Sequence, residues 1–273
     1  MNRIDKTLAH LKANHQKMLS PYITAGDPQP QITVPLMHEL VKAGANIIEL
    51  GIPFSDPMAE GVVIQQAMER ALAHHITTRN VLEMVKEFRQ KDQETPVILM
   101  GYLNPIEQYG YELFAQQAVE AGVDGTILVD LPPEESGEIF ALWERYGLYG
   151  IFLCSPTTSN ERMQVINEYA KGYLYYVSLK GVTGSSALEL SSLKLQYQQR
   201  KAQTHLPLMV GFGIKTAEMA AEVTDFADGV IVGAALITKI LEAHQTKHDM
   251  LDAGARLISS MRCAMDYNKP VEH

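Results

Sequence analysis

Short apolar runs alternate along this chain with longer segments whose apolar positions recur every three to four residues. Runs of four to eight β-branched and aliphatic residues bounded by Gly, Pro, Asp or Ser read as strands. They predict strands at 20–24, 46–51, 97–102, 125–130, 149–153, 173–178, 206–212 and 229–232. The helical period predicts helices between them at 32–42, 78–91, 107–121, 133–146, 161–170, 188–201, 217–224 and 235–244. Two more amphipathic segments, 4–14 and 249–265, flank the series. Regular strand–helix alternation requires parallel strands, because each crossover carries a helix. Eight units spread evenly, with no linker between halves, predict an α/β fold: one (β/α)8 TIM barrel over residues 1–273 with an extra N-terminal helix. A doubly wound open sheet is the competing architecture.

Local chemistry supports these boundaries. Thr216 and Ser159 precede helix starts, where a hydroxyl accepts an otherwise unpaired N–H. Ala43-Gly44 and Ala121-Gly122 end helices with the residue a left-handed terminus favours. The loops richest in Gly, Pro and Asp follow strands: 25–28, 53–61, 181–184 and 211–213. In a barrel these loops share the C-terminal face, where catalytic groups are placed.

Composition narrows the function. A hydrophobic content of 46% over 273 residues is enough for a large core. A formal net charge of −9, with no basic stripe, excludes nucleic acid and anionic membrane as expected partners. It leaves room for a phosphorylated small molecule, which a few backbone N–H groups can bind. Cys154 and Cys263 show neither metal nor disulfide spacing, and Cys154 sits in an apolar run as a buried thiol. The polar N-terminus lacks a signal-peptide core, and no apolar run reaches the ~18 residues of a membrane span. A cytoplasmic enzyme is the expectation.

Glu49 is the most informative residue. It interrupts Ile47-Ile48-Glu49-Leu50 near a strand end and shares a face with Ile47. Both faces of a barrel strand are buried, so a carboxylate there is a hydrogen-bonded core group or a general acid/base with a raised pKa. The next loop carries Asp56 and Glu60, a solvated turn or a second carboxylate for the same pocket. Glycines at 181–184, 211–213 and 233 follow the last three predicted strands, where barrels bind phosphate. Lys215 is an auxiliary charge or a solvated side chain. Tyr102 and Tyr175 lie in predicted strands, and Met100, Ile127, Val129 and Phe212 are core residues or the walls of a pocket for a flat aromatic substrate. His244 and His248 have helical zinc-pair spacing, but no third ligand follows, so no metal is expected.

The stretch Ile48-Glu-Leu-Gly-Ile-Pro-Phe-Ser-Asp-Pro-Met-Ala-Glu-Gly61 closely resembles the signature of tryptophan synthase alpha chains. So do Pro21-Tyr-Ile-Thr-Ala-Gly-Asp-Pro28, Gly101-Tyr-Leu-Asn-Pro105, Gly122-Val-Asp-Gly125, Asp130-Leu-Pro-Pro-Glu-Glu-Ser136, Gly181-Val-Thr-Gly184 and Gly211-Phe-Gly-Ile214, in the family's order. The resemblance implies a lyase of tryptophan biosynthesis: retro-aldol cleavage of indole-3-glycerol phosphate to indole and glyceraldehyde 3-phosphate. It implies Glu49 as general acid/base, Glu60 as the carboxylate on the indole N–H, and Tyr175 as the active-site tyrosine. Phe212, Met100, Tyr102, Ile127 and Thr183 would contact substrate, with Thr183 on a closing loop. Gly184, Gly213, Gly233 and Ala234 would hold the phosphate.

Two departures stand out. The family usually has aspartate where Glu60 stands, and often serine where Ala234 stands. The resemblance further implies no cofactor in this subunit and a tryptophan synthase beta subunit as partner, in a heterotetramer of two alpha and two beta chains. Residues 53–58 and 104–108 would face that partner. A phosphosugar epimerase on the same barrel would bring strand histidines, which are missing from the predicted strands. An inactive alpha-like subunit and a stand-alone indole-glycerol-phosphate lyase are the other readings left by sequence.

Overall fold

The computed structural model describes residues 1–178, 187–211 and 213–267. The strands are β1 (Met18–Thr24), β2 (Ile48–Gly51), β3 (Val97–Gly101), β4 (Gly125–Leu128), β5 (Tyr149–Gly150), β6 (Leu153–Cys154), β7 (Leu174–Val177), β8 (Leu208–Gly211) and β9 (Gly229–Val232). All their pairings are parallel, in the order β5-β4-β3-β2-β1-β9-β8-β7-β6.

The two edges of that order are halves of one strand. Only Ile151 and Phe152 separate β5 from β6, and the ladder continues across them. Ile151 N donates to Thr126 O on one side (2.9 Å), and Tyr175 N donates to Phe152 O on the other (2.9 Å). The predicted strand at 149–153 therefore closes the sheet, and the architecture is the (β/α)8 barrel. Closure removes every exposed edge.

Alternation along the strands builds two cores. Tyr22, Ile47, Ile98, Ile127, Tyr173, Met209 and Ile231 fill the barrel interior. Leu19, Ile48, Leu99, Leu174, Val210 and Val230 face the helices. Full burial of such side chains contributes roughly 1.5–3 kcal/mol each, which fixes register: a slip by one residue would exchange the two sets.

Helix α1 (Arg3–Ala13) closes the N-terminal mouth. The Asn2 side chain caps it by accepting Ile4 N–H, and Ile4 and Leu11 join the interior cluster. Arg3 pairs with Asp124 at 3.0 Å. With that end plugged, the open end of the barrel is the one carrying the strand-to-helix loops.

The remaining helices are α2 (Thr33–Lys42), α3 (Val62–Ala73), α4 (Thr78–Phe88), α5 (Leu103–Tyr109), α6 (Tyr111–Ala121), α7 (Pro133–Tyr146), α8 (Asn160–Tyr169), α9 (Ala187–Lys201), α10 (Ala217–Thr224), α11 (Ala234–Gln245) and α12 (Met250–Tyr267). Two differ from expectation. Helix α3 was not predicted: it opens with Val62-Val63-Ile64, a β-branched run, behind Gly61, which has no side chain to cap it. The helix expected over 107–121 starts at Leu103 and is broken in two at Gly110. Among the described residues, no helix is long and apolar enough to cross a membrane.

Candidate active site

A cavity of about 380 Å3 opens at the C-terminal mouth of the barrel. Tyr22 from β1, Met100 from β3, Tyr175 from β7 and Ile231 from β9 reach it from the strands. Glu60 and the first turn of α3 form one wall, while Gly213–Lys215 and Gly233–Ala235 form the other. A second cavity of about 320 Å3 lies beside it and shares Val129, Leu153 and Val177, but neither Glu49 nor Glu60 lines it.

Glu49 occupies β2 and is fully buried. The Tyr173 hydroxyl donates to Glu49 Oε1 at 2.8 Å, and Oε2 has no hydrogen-bond partner among the described residues. Burial raises the pKa of this carboxyl to about 8, and the charge of Glu60 adds to the shift. The Tyr173 hydrogen bond opposes it, as does the nearby Ser20, whose hydroxyl forms no completed hydrogen bond. At neutral pH Glu49 is therefore a protonated acid. It does not itself line the cavity; its register partner Tyr22 does.

Glu60 is half-buried in the turn before α3, where Gln65 Nε2 donates to its carbonyl at 2.8 Å. Desolvation raises its carboxyl to about 7. Tyr175 projects from β7 into the same cavity. Its ring lies over Gly211 of β8, where a Cβ would fall 2.2 Å from Tyr175 Cζ. Burial and both glutamates push the Tyr175 phenol pKa well up, so it stays neutral.

The phosphate candidates converge as well. Gly213, Gly233 and Ala234 line the cavity together with Lys215. Helix α11 begins at Ala234 with Gly233 as its cap and no side-chain acceptor for its first N–H groups. Helix α10 differs, because Thr216 Oγ1 accepts Met219 N–H at 3.3 Å. Of these two helices it is α11, with its uncapped N-terminus, whose first residues line the cavity, and such an end attracts anions.

Other expected contacts fall elsewhere. Ile127 is fully buried in the interior core and lines no part of the cavity, because its strand position lies too deep. Tyr102 also misses the cavity wall: its hydroxyl accepts Ala59 N–H at 3.1 Å and its ring stacks on Phe54 at 5.2 Å. It holds the loop that carries Glu60. Phe212, Thr183 and Gly184 lie outside the described residues. Among those residues, no group of three or more His, Cys, Asp or Glu is arranged to hold a metal ion.

Tyr22, Tyr173 and Ile64 were not singled out from sequence. A signal existed for Tyr22: with period two, Ser20, Tyr22 and Thr24 share one strand face, and polar groups there are unusual for a barrel interior. Tyr173 and Ile64 resemble ordinary core residues until their contacts are seen.

A family model described as "Tryptophan synthase alpha chain" matches residues 8–266. The tryptophan synthase alpha chain of Legionella pneumophila (strain Lens) is 73% identical over 266 residues, covering 97% of this chain and 98% of that one. That of Thioalkalivibrio sulfidiphilus (strain HL-EbGR7) is 52% identical over 266 residues, covering 97% and 100%. The crystal structure of tryptophan synthase subunit alpha from Legionella pneumophila str. Paris superposes with a TM-score of 0.94 at 70% identity, covering 98% of this chain and 99% of that one. A chain of Mycobacterium tuberculosis tryptophan synthase, in its aminoacrylate-bound form, gives a TM-score of 0.85 at 30% identity, with 97% and 100% covered. The family match over most of the chain and the identity to these relatives show that the chain belongs to the tryptophan synthase alpha chain family.

Proposed function

We propose that this cavity cleaves indole-3-glycerol phosphate to indole and glyceraldehyde 3-phosphate, with Glu49 and Glu60 as its two working carboxylates. One observation carries the assignment of roles. Glu60, with a raised pKa, lines an apolar cavity together with Tyr22, the register partner of the buried acid Glu49, and the uncapped start of α11 lines the same cavity. That combination of an apolar lining, a carboxyl group and free helix N–H groups suits a molecule with a flat apolar ring and a phosphate joined by a short polar chain.

The indole ring lies among Met100, Ile64, Val129 and Tyr175, and the phosphate lies on the N–H groups near Gly213, Gly233 and Ala234. Glu49, protonated at rest, swings from its Tyr173 contact and gives its proton to indole C3. The ring becomes an indoleninium cation, and Glu60 accepts the N–H that now carries much of the charge. The Glu49 carboxylate then takes the proton of the hydroxyl on the glycerol carbon attached to the ring. A carbonyl forms there, the C–C bond breaks, and its electron pair neutralises the ring. Glu49 ends protonated, so the cycle closes with no cofactor in this chain.

The same reading includes a cytoplasmic heterotetramer of two alpha and two beta chains, in which indole passes to the beta subunit. Met58 and Val62, 79% and 66% exposed beside the cavity mouth, are apolar side chains suited to such a contact. Indole release from indole-3-glycerol phosphate by the purified chain, with and without beta subunit, tests the activity. Release that rises with the partner is expected; no release in either condition would refute it.

A further inference from the structure

Tyr22 is a phenol to which the proposed chemistry gives no task. It stands opposite Glu49 in the register of β1 on β2, and its side chain faces the interior. Gly51, two positions beyond Glu49, makes room for it: a Cβ there would lie 2.2 Å from the Tyr22 hydroxyl oxygen. The tyrosine lines the same cavity as Glu60. Among described residues the Tyr22 hydroxyl meets only Thr24 Oγ1, at 3.3 Å, a long distance for a bond between two hydroxyls. By contrast, Tyr173 is engaged with Glu49 at 2.8 Å, and Tyr102 with the Ala59 N–H at 3.1 Å. No described residue donates a hydrogen bond to the Glu60 carboxylate.

We propose that Tyr22 is the positioning residue for Glu60: its hydroxyl turns from Thr24, donates to one carboxylate oxygen, and so aims the other at the indole N–H. This rests on the reading of Glu60 given above. A glutamate on a loop has one more rotatable bond than an aspartate, so aiming it needs a second anchor. A phenol rooted in a barrel strand provides one at little entropic cost.

The charge distribution agrees. Among charged groups Glu60 acts most strongly on Tyr22, ahead of Glu49, and burial keeps the phenol protonated as a donor. Among the described residues, the titratable groups that line the cavity with Glu60 are Tyr22 from β1, Tyr175 from β7 and Lys215 after β8, while Glu49 from β2 and Tyr102 after β3 feel its charge from outside the cavity wall.

The experiment is indole release as a function of pH by the full chain, comparing wild type, Tyr22→Phe, Glu60→Gln, the double variant and Thr24→Val. Tyr22→Phe keeps the ring and removes only the hydroxyl. It should lower kcat about tenfold with KM nearly unchanged. The acid limb that Glu60 sets should move to higher pH, because the charged form loses a hydrogen bond. In the Glu60→Gln background, Tyr22→Phe should add nothing. If Glu60→Gln is damaging while Tyr22→Phe leaves kcat and the acid limb in place, the pairing is wrong. It is equally wrong if Tyr22→Phe costs the same in both backgrounds, or if Thr24→Val reproduces its effect. A harmless Glu60→Gln would instead remove the reading of Glu60 itself, and this inference with it.

Discussion

The Tyr173 phenol donates a 2.8 Å hydrogen bond to Glu49 Oε1 inside the barrel, while no described residue bonds to Glu49 Oε2. The bond favours the charged carboxylate, yet burial outweighs it and holds the pKa near 8. Tyr173→Phe removes the opposing effect, so the Glu49 pKa should rise further. An acid must be protonated to donate, so activity falls as pH rises through that pKa. The basic limb of the kcat/KM profile should therefore shift to higher pH in Tyr173→Phe. A limb that stays fixed would separate Tyr173 from the titration of Glu49.

The two glutamates also predict the whole profile. Glu60, with a pKa of about 7, must be ionised to stabilise the cationic ring, so activity falls as pH drops through that value. Glu49, with a pKa of about 8, must be protonated, so activity falls on the other side. A narrow bell with its maximum between the two is expected from kcat/KM measured at closely spaced pH values, because kcat/KM reports the groups of the free enzyme. A rate flat from pH 5 to pH 10 would contradict both roles.

Stability should respond to Glu49 in the opposite sense to an ordinary ion-paired carboxylate. Its folded pKa, about 8, lies above the ordinary value of 4.5, so the folded state binds the extra proton between those values. Stability contributed by this group is thus lost as pH rises from about 4.5 to about 8. Glu49→Gln abolishes the titration and should raise Tm at pH 8 relative to wild type, as expected from a gain of up to about 4 kcal/mol in unfolding free energy, with little gain at pH 4. Thermal melts at the two pH values read this directly; an equal change at both would mean that the substitution acts through packing alone.

Much of this arrangement was legible in the sequence because its physical signals are local. The strand at 229–232 and the helices at 133–146 and 217–224 match β9, α7 and α10 at both ends, since turn residues, prolines and a capping threonine mark them. Glu49 stood out because a charge inside an apolar strand is costly. Helix α3 was hidden by its β-branched start, although its first turn lines the cavity. The roles of Tyr102, Ile127 and Tyr22 depend on depth along the barrel axis, which period-two alternation does not report. It assigns a face, but not the layer at which a side chain emerges.

At the phosphate end, Gly233→Val should raise KM by about tenfold or more, because the side chain fills space beside Ala234 at the uncapped start of α11. Lys215→Ala should change KM less, since its charge is auxiliary. Ala234→Ser should lower KM by about threefold by adding one hydroxyl donor. Initial-rate kinetics on the three variants decide; a larger loss from Lys215→Ala than from Gly233→Val would transfer the main phosphate contact to the lysine.

The central claim is that Glu49 carries the proton both to the ring and away from the hydroxyl. Glu49→Gln preserves the shape and can still accept the Tyr173 hydrogen bond, but it cannot cycle a proton. The most direct measurement is the single-turnover rate of indole release by Glu49→Gln and wild type, with a thermal melt to establish that the variant is folded. The account predicts a loss of about 10²–10⁴-fold at a melting temperature equal to or above that of wild type. A folded Glu49→Gln enzyme that releases indole within about threefold of the wild-type rate would contradict it, because general acid–base work by this residue supplies a far larger factor.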